Sequence, residues 1–183
     1  LVPKCDSYVI EVIYDEPEST IDENPKESVA SIDLGLNNLV ALTSNQPGFV
    51  PLLINGRPLK SINQFYNKRK AQLQSQLKGS RQTSSRIQRL TRCRHQKVDN
   101  YLHHTSRQII NLLASRKIGT LAIGKNLQWK NEINLGKKTN QNFVSIPHAR
   151  LIEMLKYKAE LLGIKVIAQE ESYTSKSNFL NLD

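Results

Sequence analysis

The stretch Val29-Ala30-Ser31-Ile32-Asp33-Leu34 constrains the chain most. It is apolar, too short for a helix and bounded by polar residues, which is the pattern of a strand. One acid, Asp33, interrupts it. A lone carboxylate is costly inside a sheet, so Asp33 belongs at a strand end beside a partner, often a metal. A turn-forming aspartate at the strand edge is the simpler alternative. Gly35 and the pair Asn37-Asn38 then supply turn chemistry, because both residue types tolerate positive φ. A second strand, Leu39 to Thr43, follows at hairpin distance. After Pro47-Gly48, Phe49 to Ile54 forms a third strand, ended by Asn55-Gly56. Three strands joined by short links predict an antiparallel meander.

Pro58 opens a helical region in which Ile62, Phe65, Tyr66, Leu73 and Leu77 recur at roughly helical spacing. Gly79-Ser80 breaks the pattern. It resumes at Ile87 and Leu90 and continues through Val98, Tyr101, Leu102, Thr105, Ile109, Leu112 and Leu113, close to a sustained seven-residue repeat. Two antiparallel helices over 58–117 are predicted. Here charge decides the reading. The chain carries a net charge of +10, and from Arg57 to Lys117 its only acid is Asp99. The first thirty residues are the reverse, with Asp6, Glu11, Asp15, Glu16, Glu18, Asp22, Glu23 and Glu27 against Lys4 and Lys26. Solvated helix faces normally alternate acids with bases. This one repels itself, so Lys68, Arg69, Lys70, Arg81, Arg86, Arg89, Arg92, Arg94, Lys97 and Arg107 read as an outward phosphate-binding surface.

Ile118 to Ile123 is a fourth strand, and 124–146 a long polar loop carrying Lys125, Trp129, Lys130, Lys137 and Lys138. Loops of that length are usually functional or unstructured. Trp129 is either a stacking surface for a base, with Lys130 beside it, or a cap on the core edge. Pro147 suits the first turn of a helix with the face Leu151, Ile152, Leu155, Ala159 and Leu162, stopped by Gly163. Ile164 to Ala168 is a fifth strand, running into Gln169-Glu170-Glu171-Ser172-Tyr173-Thr174-Ser175. Tyr8 to Tyr14 reads as a strand as well, followed by an acidic linker to Ser28. Cys5 and Cys93 are far apart, which indicates neither a disulfide framework nor a zinc site. His95, His103, His104 and His148 form no i, i+4 pair and lie near no cysteine ligand set, which argues against metal ligation. His103 and His104 are expected to flank the helical seam. No apolar run approaches membrane-spanning length and no signal pattern opens the chain. Because the one methionine is Met154, Leu1 is not expected to be a natural start.

Strand-strand-strand-helix-strand-helix-strand is the order of the α/β ribonuclease H-like (RuvC-like) fold, a mixed sheet reached by right-handed crossovers, here with an inserted basic helical hairpin. The stretch Ile32-Asp33-Leu34-Gly35-Leu36-Asn37-Asn38-Leu39 resembles the first RuvC motif of the TnpB (OrfB) transposon proteins, RNA-guided DNA nucleases also described as probable transposases. The basic hairpin, Leu155-Lys156-Tyr157-Lys158-Ala159 and Tyr173-Thr174-Ser175 are similar to theirs too, and 1–14 resembles the last strand of the β-barrel that precedes their core. The resemblance implies a bacterial, cytoplasmic, DNA-associated protein with DNA and guide RNA as partners and no membrane. It also implies a Mg²⁺ site in which Asp33 is catalytic.

Two departures stand out. The family pattern Ile-Glu-Asp-Leu is replaced by Ile123-Gly124-Lys125-Asn126-Leu127, and Gly124 cannot ligate a metal. Some members carry that glutamate on the next strand, which makes Glu171, ahead of Glu170, the candidate second acid and metal ligand. The family's third acid, and its zinc ribbon where present, would lie beyond Asp183, so 29–183 is expected to be an incomplete core. Three functions compete: a nuclease core, a catalytically dead nucleic-acid-binding remnant, and an actin-like ATPase suggested by Asp33-Leu34-Gly35. The third needs two lobes and a glycine-rich adenosine loop, which 183 residues without a glycine cluster do not supply.

Overall fold

A computed structural model describes residues 2–3, 8–13, 28–125 and 146–170 of the chain. Two short strands, β1 (Val2–Pro3) and β2 (Tyr8–Val9), pair antiparallel with Val2 opposite Val9. The strand expected over Tyr8–Tyr14 is thus shorter: Ile10 to Ile13 are exposed and outside any strand. Among the described residues nothing there gives alternate residues a face to bury.

The main body is a five-stranded mixed sheet. It contains β3 (Val29–Leu34), β4 (Asn38–Ser44), β5 (Leu52–Asn55), β6 (Thr120–Lys125) and β7 (Lys165–Glu170), in the spatial order β5-β4-β3-β6-β7. The pairs β3–β4 and β4–β5 are antiparallel, while β3–β6 and β6–β7 are parallel. The parallel steps need helical crossovers. The first contains α1 (Arg57–Ser75) and α2 (Ser85–Ser115), and the second contains α3 (His148–Glu160).

Period-two alternation explains which face is packed. Ala30, Ile32 and Leu34 are buried while Val29, Ser31 and Asp33 are exposed. On the buried face the sheet meets Leu102, Ile109, Ile110 and Leu113 of α2 and Leu151, Leu155 and Ala159 of α3. Leu53 and Ile167 are exposed, and no described helix covers the other face.

The details differ from expectation in instructive places. Pro47-Gly48 makes its turn with Gly48 at φ +74°, but the third strand begins at Leu52 instead of Phe49, whose ring packs against the core. Neither Asn37 nor Asn38 adopts positive φ; Asn38 is already the first residue of β4. Gly35 is needed there for space, because a Cβ would lie 2.7 Å from the Asn38 carbonyl oxygen. Pro58 does sit in the first turn of α1. The chain reverses over 76–84, and Ser84 caps α2 by accepting from the Ile87 N–H at 3.4 Å. At the far end of α2 the left-handed residue is Lys117 (φ 55°), and Ile118 N–H closes onto the Leu113 carbonyl at 2.9 Å. Gly163 (φ 65°) plays the same part after α3, where Ile164 N–H reaches Ala159.

Candidate catalytic edge and nucleic-acid interface

Strands β3, β5, β6 and β7 run the same way, so their carboxyl ends share one edge of the sheet. Asp33 is the penultimate residue of β3, exposed on the uncovered face and paired with Ala41. Ile32, Ile123 and Ala168 form one row across β3, β6 and β7, and Gly124 with Gln169 forms the next. Gly124 projects nothing into the space beside Asp33. Adjacent strands lie about 4.8 Å apart, so β3 and β7 are separated by about 10 Å at this edge. Glu170 stands in register with Lys125 at the end of β7.

The loop after Asp33 is held from three sides. His148, buried in the first turn of α3, meets the Gly35 carbonyl through Nε2 at 3.1 Å. A carbonyl only accepts, so Nε2 carries the proton. Gly56 N–H donates to the Asn37 carbonyl at 2.7 Å, and Lys60 Nζ donates to Asn37 Oδ1 at 2.5 Å. Tyr101 of α2 donates its hydroxyl to the Asn55 carbonyl at the end of β5. Burial in that contact raises the Tyr101 pKa above the usual phenol value. The first turns of α1 and α3 and the middle of α2 therefore converge on the edge that carries Asp33.

From that edge the two helices of the hairpin extend together. Helix α2 has 31 residues, about 46 Å at 1.5 Å per residue. Only its second half reaches the sheet: Val98, Leu102, Thr105, Ser106, Ile109, Ile110 and Leu113 are buried, against Ile87 alone before them. The hairpin's outer part is thin: Leu59 and Asn63 are buried near the root of α1, and beyond them only Leu73 and Ile87 are buried. Of the predicted basic surface, Lys68, Arg69, Arg81, Arg86, Arg89, Lys97 and Arg107 are exposed, and Arg92 is half-buried. Arg94 is different. It turns into the seam, where Nε donates to the buried Asn63 Oδ1 at 2.8 Å. Its guanidinium and the Lys70 ammonium each stand 5.8 Å from the centre of the Tyr66 ring. Asn63 gave no warning of this in the sequence; an amide at a core-facing helical position is the signal to look for.

A second feature the sequence did not announce lies where α2 meets α3. Lys158 is buried, and its Nζ donates to the Ser106 hydroxyl at 2.6 Å and to the His103 carbonyl at 3.0 Å. Burial, then the nearby Arg107 charge, lowers the Lys158 pKa. Burial and then Lys158 lower that of His103. Asp99 pairs with Arg150 at 2.5 Å across the same helix interface.

Mg²⁺ prefers oxygen donors: one or two carboxylates completed by water. The exposed Asp33 carboxylate, beside the side-chain-free Gly124, suits one such position. Among the described residues no group of three His, Cys, Asp or Glu side chains is brought together. A second carboxylate would have to come from Glu170, whose backbone ends β7, or from Glu171. Glu171, Trp129 and Lys130 lie outside the described residues, as does Tyr173-Thr174-Ser175. No described helix is long and apolar enough to cross a membrane.

An α/β protein with this mixed sheet and a basic helical hairpin between its third and fourth sheet strands belongs to a recognisable class. The family model OrfB_IS605, described as a probable transposase, matches residues 9–130, well over half of the chain. The chain belongs to that family, the TnpB type. A model of the Cas12f1-like TNB domain matches residues 148–178. No curated protein matches it. Among solved structures, a chain in the "Cryo-EM structure of the Cas12f1-sgRNA-target DNA complex" superposes with a TM-score of 0.63 at 18% identity, covering 84% of this chain and 38% of that one. One in the "Cryo-EM structure of CRISPR-Cas12f Ternary Complex" gives 0.61 at 16%, covering 93% and 34%. The chain thus spans little more than a third of each neighbour's length, and at such identities the likeness is one of fold.

Proposed function

We propose that the chain is the RuvC-like, ribonuclease H-like core of a transposon-encoded, RNA-guided, Mg²⁺-dependent DNA endonuclease, and that the basic hairpin holds the nucleic acid. The observation that carries the reading is the placement of Asp33. It is an exposed carboxylate at the carboxyl end of β3, on the same edge of the sheet from which the unopposed basic hairpin emerges. The sheet order, antiparallel on one side of β3 and parallel on the other, supports the ribonuclease H-like assignment. The neighbours' complexes with sgRNA and target DNA support nucleic-acid partners. In α/β sheets with parallel strands, functional groups collect beyond the carboxyl ends of the strands.

In this reading Asp33 and one of Glu170 or Glu171 hold Mg²⁺, which when bound would activate water and stabilise the leaving oxygen. The chain's own part is to present these carboxylates across the roughly 10 Å between β3 and β7, with His148 and Gly56 fixing the loop behind Asp33. Lys68, Arg69, Arg81, Arg86, Arg89, Arg92, Lys97 and Arg107 neutralise phosphates. Base pairing with a guide would supply most of the sequence specificity.

Gly124 favours a second reading, a remnant that binds without cutting, because it removes a carboxylate position next to Asp33. One set of assays separates them. Binding of labelled DNA and RNA should fall with salt, and replacing Arg86, Arg89 and Arg92 by Gln should flatten the log-log slope by about 0.7–0.9 per phosphate lost. This chain alone should bind Mg²⁺ weakly and cut nothing; in a full-length protein Asp33→Ala should abolish Mg²⁺-dependent cleavage and leave binding nearly unchanged. Cleavage by Asp33→Ala at the unmodified rate overturns the catalytic assignment. Salt-independent binding overturns the hairpin's role, and binding without cleavage under any guide favours the remnant.

A further inference from the structure

Buried ammonium groups are normally paired with a carboxylate, because an uncompensated charge in a poorly solvated site is costly. Lys158 is only 8% exposed, yet both of its acceptors, the Ser106 hydroxyl and the His103 carbonyl, are neutral. An ammonium has three donors, so one remains. Beside it opens a recess of about 400 Å³ lined by His103, His104, Arg107, Tyr157, Lys158 and Leu161. Among the described residues no carboxylate lines it. Asp99 acts electrostatically on His103, but its charge is already engaged by Arg150. The recess is therefore a cationic hollow with a buried charge at its base, a permanently charged guanidinium at its rim and a half-exposed tyrosine ring at its side. It is large enough for more than a bare ion.

We propose that this recess between α2 and α3 is a subsite for one backbone phosphate of a single-stranded nucleic acid. Lys158 and Arg107 supply the charge. The Tyr157 ring, 43% exposed with the Lys158 ammonium 5.8 Å from its centre, offers a face on which an adjoining base stacks. The site is separate from the catalytic edge. His148 touches the Gly35 loop, and Lys158 is ten residues further along α3, about 15 Å at 1.5 Å per residue. A strand occupying it runs beneath the body of the domain and not along the hairpin tip. An anion there also favours protonated His103, which is faced by His104 and Arg107 from its own helix, by Lys158 and Arg150 from α3, and by Asp99. Occupancy should tighten as pH falls. The inference rests on the chain's binding nucleic acid, but its test reads a different place.

The test follows the His103 ring resonances of the full chain by NMR in a phosphate-free buffer, adding first inorganic phosphate and then an eight-residue oligothymidylate. Both should shift His103 and raise its apparent pKa. Arg107→Gln should abolish those shifts, Arg107→Lys should largely restore them, and Lys158→Met should abolish them with the fold retained by circular dichroism. Arg107→Gln should also lower the salt slope for the oligonucleotide by about 0.7, the value for one phosphate of a single strand. Replacing Arg86, Arg89 and Arg92 by Gln should weaken overall affinity but leave the phosphate-induced His103 shift intact. An unmoved His103 while salt-dependent binding persists overturns the subsite and spares the hairpin. A response to inorganic phosphate but not to the bound oligonucleotide overturns the nucleic-acid assignment. Absence of any oligonucleotide binding removes both readings.

Discussion

Gly56 closes the gap between the Asp33 loop and α1, and Gly56→Ala measures how tightly that junction is built. A Cβ at Gly56 would meet the Leu36 carbonyl oxygen at 2.3 Å, the Leu36 carbonyl carbon at 3.1 Å and the Asn37 oxygen at 3.3 Å. All three obstacles are backbone, so no side chain can swing aside. Reaching even the shortest tolerable separation moves the two segments apart by roughly 0.7 Å, and overpacking of this kind costs about 1–3 kcal/mol. The same movement stretches the 2.7 Å bond from Gly56 N–H to Asn37, adding about 0.5–1.5 kcal/mol if it is lost. A total of about 1.5–4.5 kcal/mol should lower the melting temperature by about 3–18 °C in a chain of this size. Gly48→Ala is the control: its φ is +74° but nothing lies within 4 Å of the added carbon, so it carries only the left-handed penalty of about 1–2 kcal/mol. Thermal unfolding by circular dichroism, with amide exchange at Leu36 and Asn37, reads both. If Gly56→Ala melts no lower than Gly48→Ala and the loop amides keep their protection, the close approach does not hold the Asp33 loop and the reasoning fails.

Leu102→Ala removes a fully buried side chain from the contact between α2 and the sheet, and should cost about 2–5 kcal/mol by chemical denaturation; Phe65→Ala, at 64% exposure on the hairpin, should cost under about 1 kcal/mol by area. His103 titrates below its ordinary 6.5 in the folded chain, so just below pH 6.5 the unfolded chain binds more protons and stability falls on acidification. His103→Gln should flatten that limb, measured as the difference between the two proteins' denaturation midpoints across pH in phosphate-free buffer; an unchanged limb would show that the partial desolvation and the Lys158 charge do not act on His103 as argued. Lys158 acts at the alkaline end. Its pKa is lowered from 10.5, so stability should rise with pH up to that value, and Lys158→Met should remove the rise.

The strands and helices were legible because their physics is local. Val29 to Leu34 alternates, and the alternation alone puts Ala30, Ile32 and Leu34 on one face and Asp33 on the other. The spacing of Val98, Leu102, Thr105 and Ile109 defined the buried stripe of α2 in the same way. What sequence could not show depended on partners distant in the chain. Arg94 looked like its exposed neighbours until Asn63, 31 residues away, received it. Nothing in the sequence pattern singles Lys158 out from its neighbours on α3; Ser106, 52 residues away, receives its ammonium where it is buried. Lys117 takes a left-handed conformation in a place where sequence favours glycine, held by the bond from Ile118 to Leu113. Glu170 was placed beyond its strand, yet β7 extends to include it because Lys125 offers a backbone partner.

These long-range contacts give the molecule its mechanical logic. The hairpin is slender, with few buried side chains outside its root, so its stiffness must come from where it is anchored. That anchorage is the carboxyl edge of the sheet: Lys60 and Gly56 hold Asn37 and Tyr101 holds Asn55, while His148 of α3 holds Gly35 from the other side. Three of these contacts, to Gly35 and Asn37, fix the loop that follows Asp33. A load on the hairpin is therefore transmitted to the backbone next to the carboxylate through hydrogen bonds of ordinary strength, each worth about 1 kcal/mol net. Uncoupling the two should need more than one of them removed. A bound polyanion that straightens the hairpin and one that merely coats it would differ in a single observable, the exchange protection of the Gly35 and Asn37 amides.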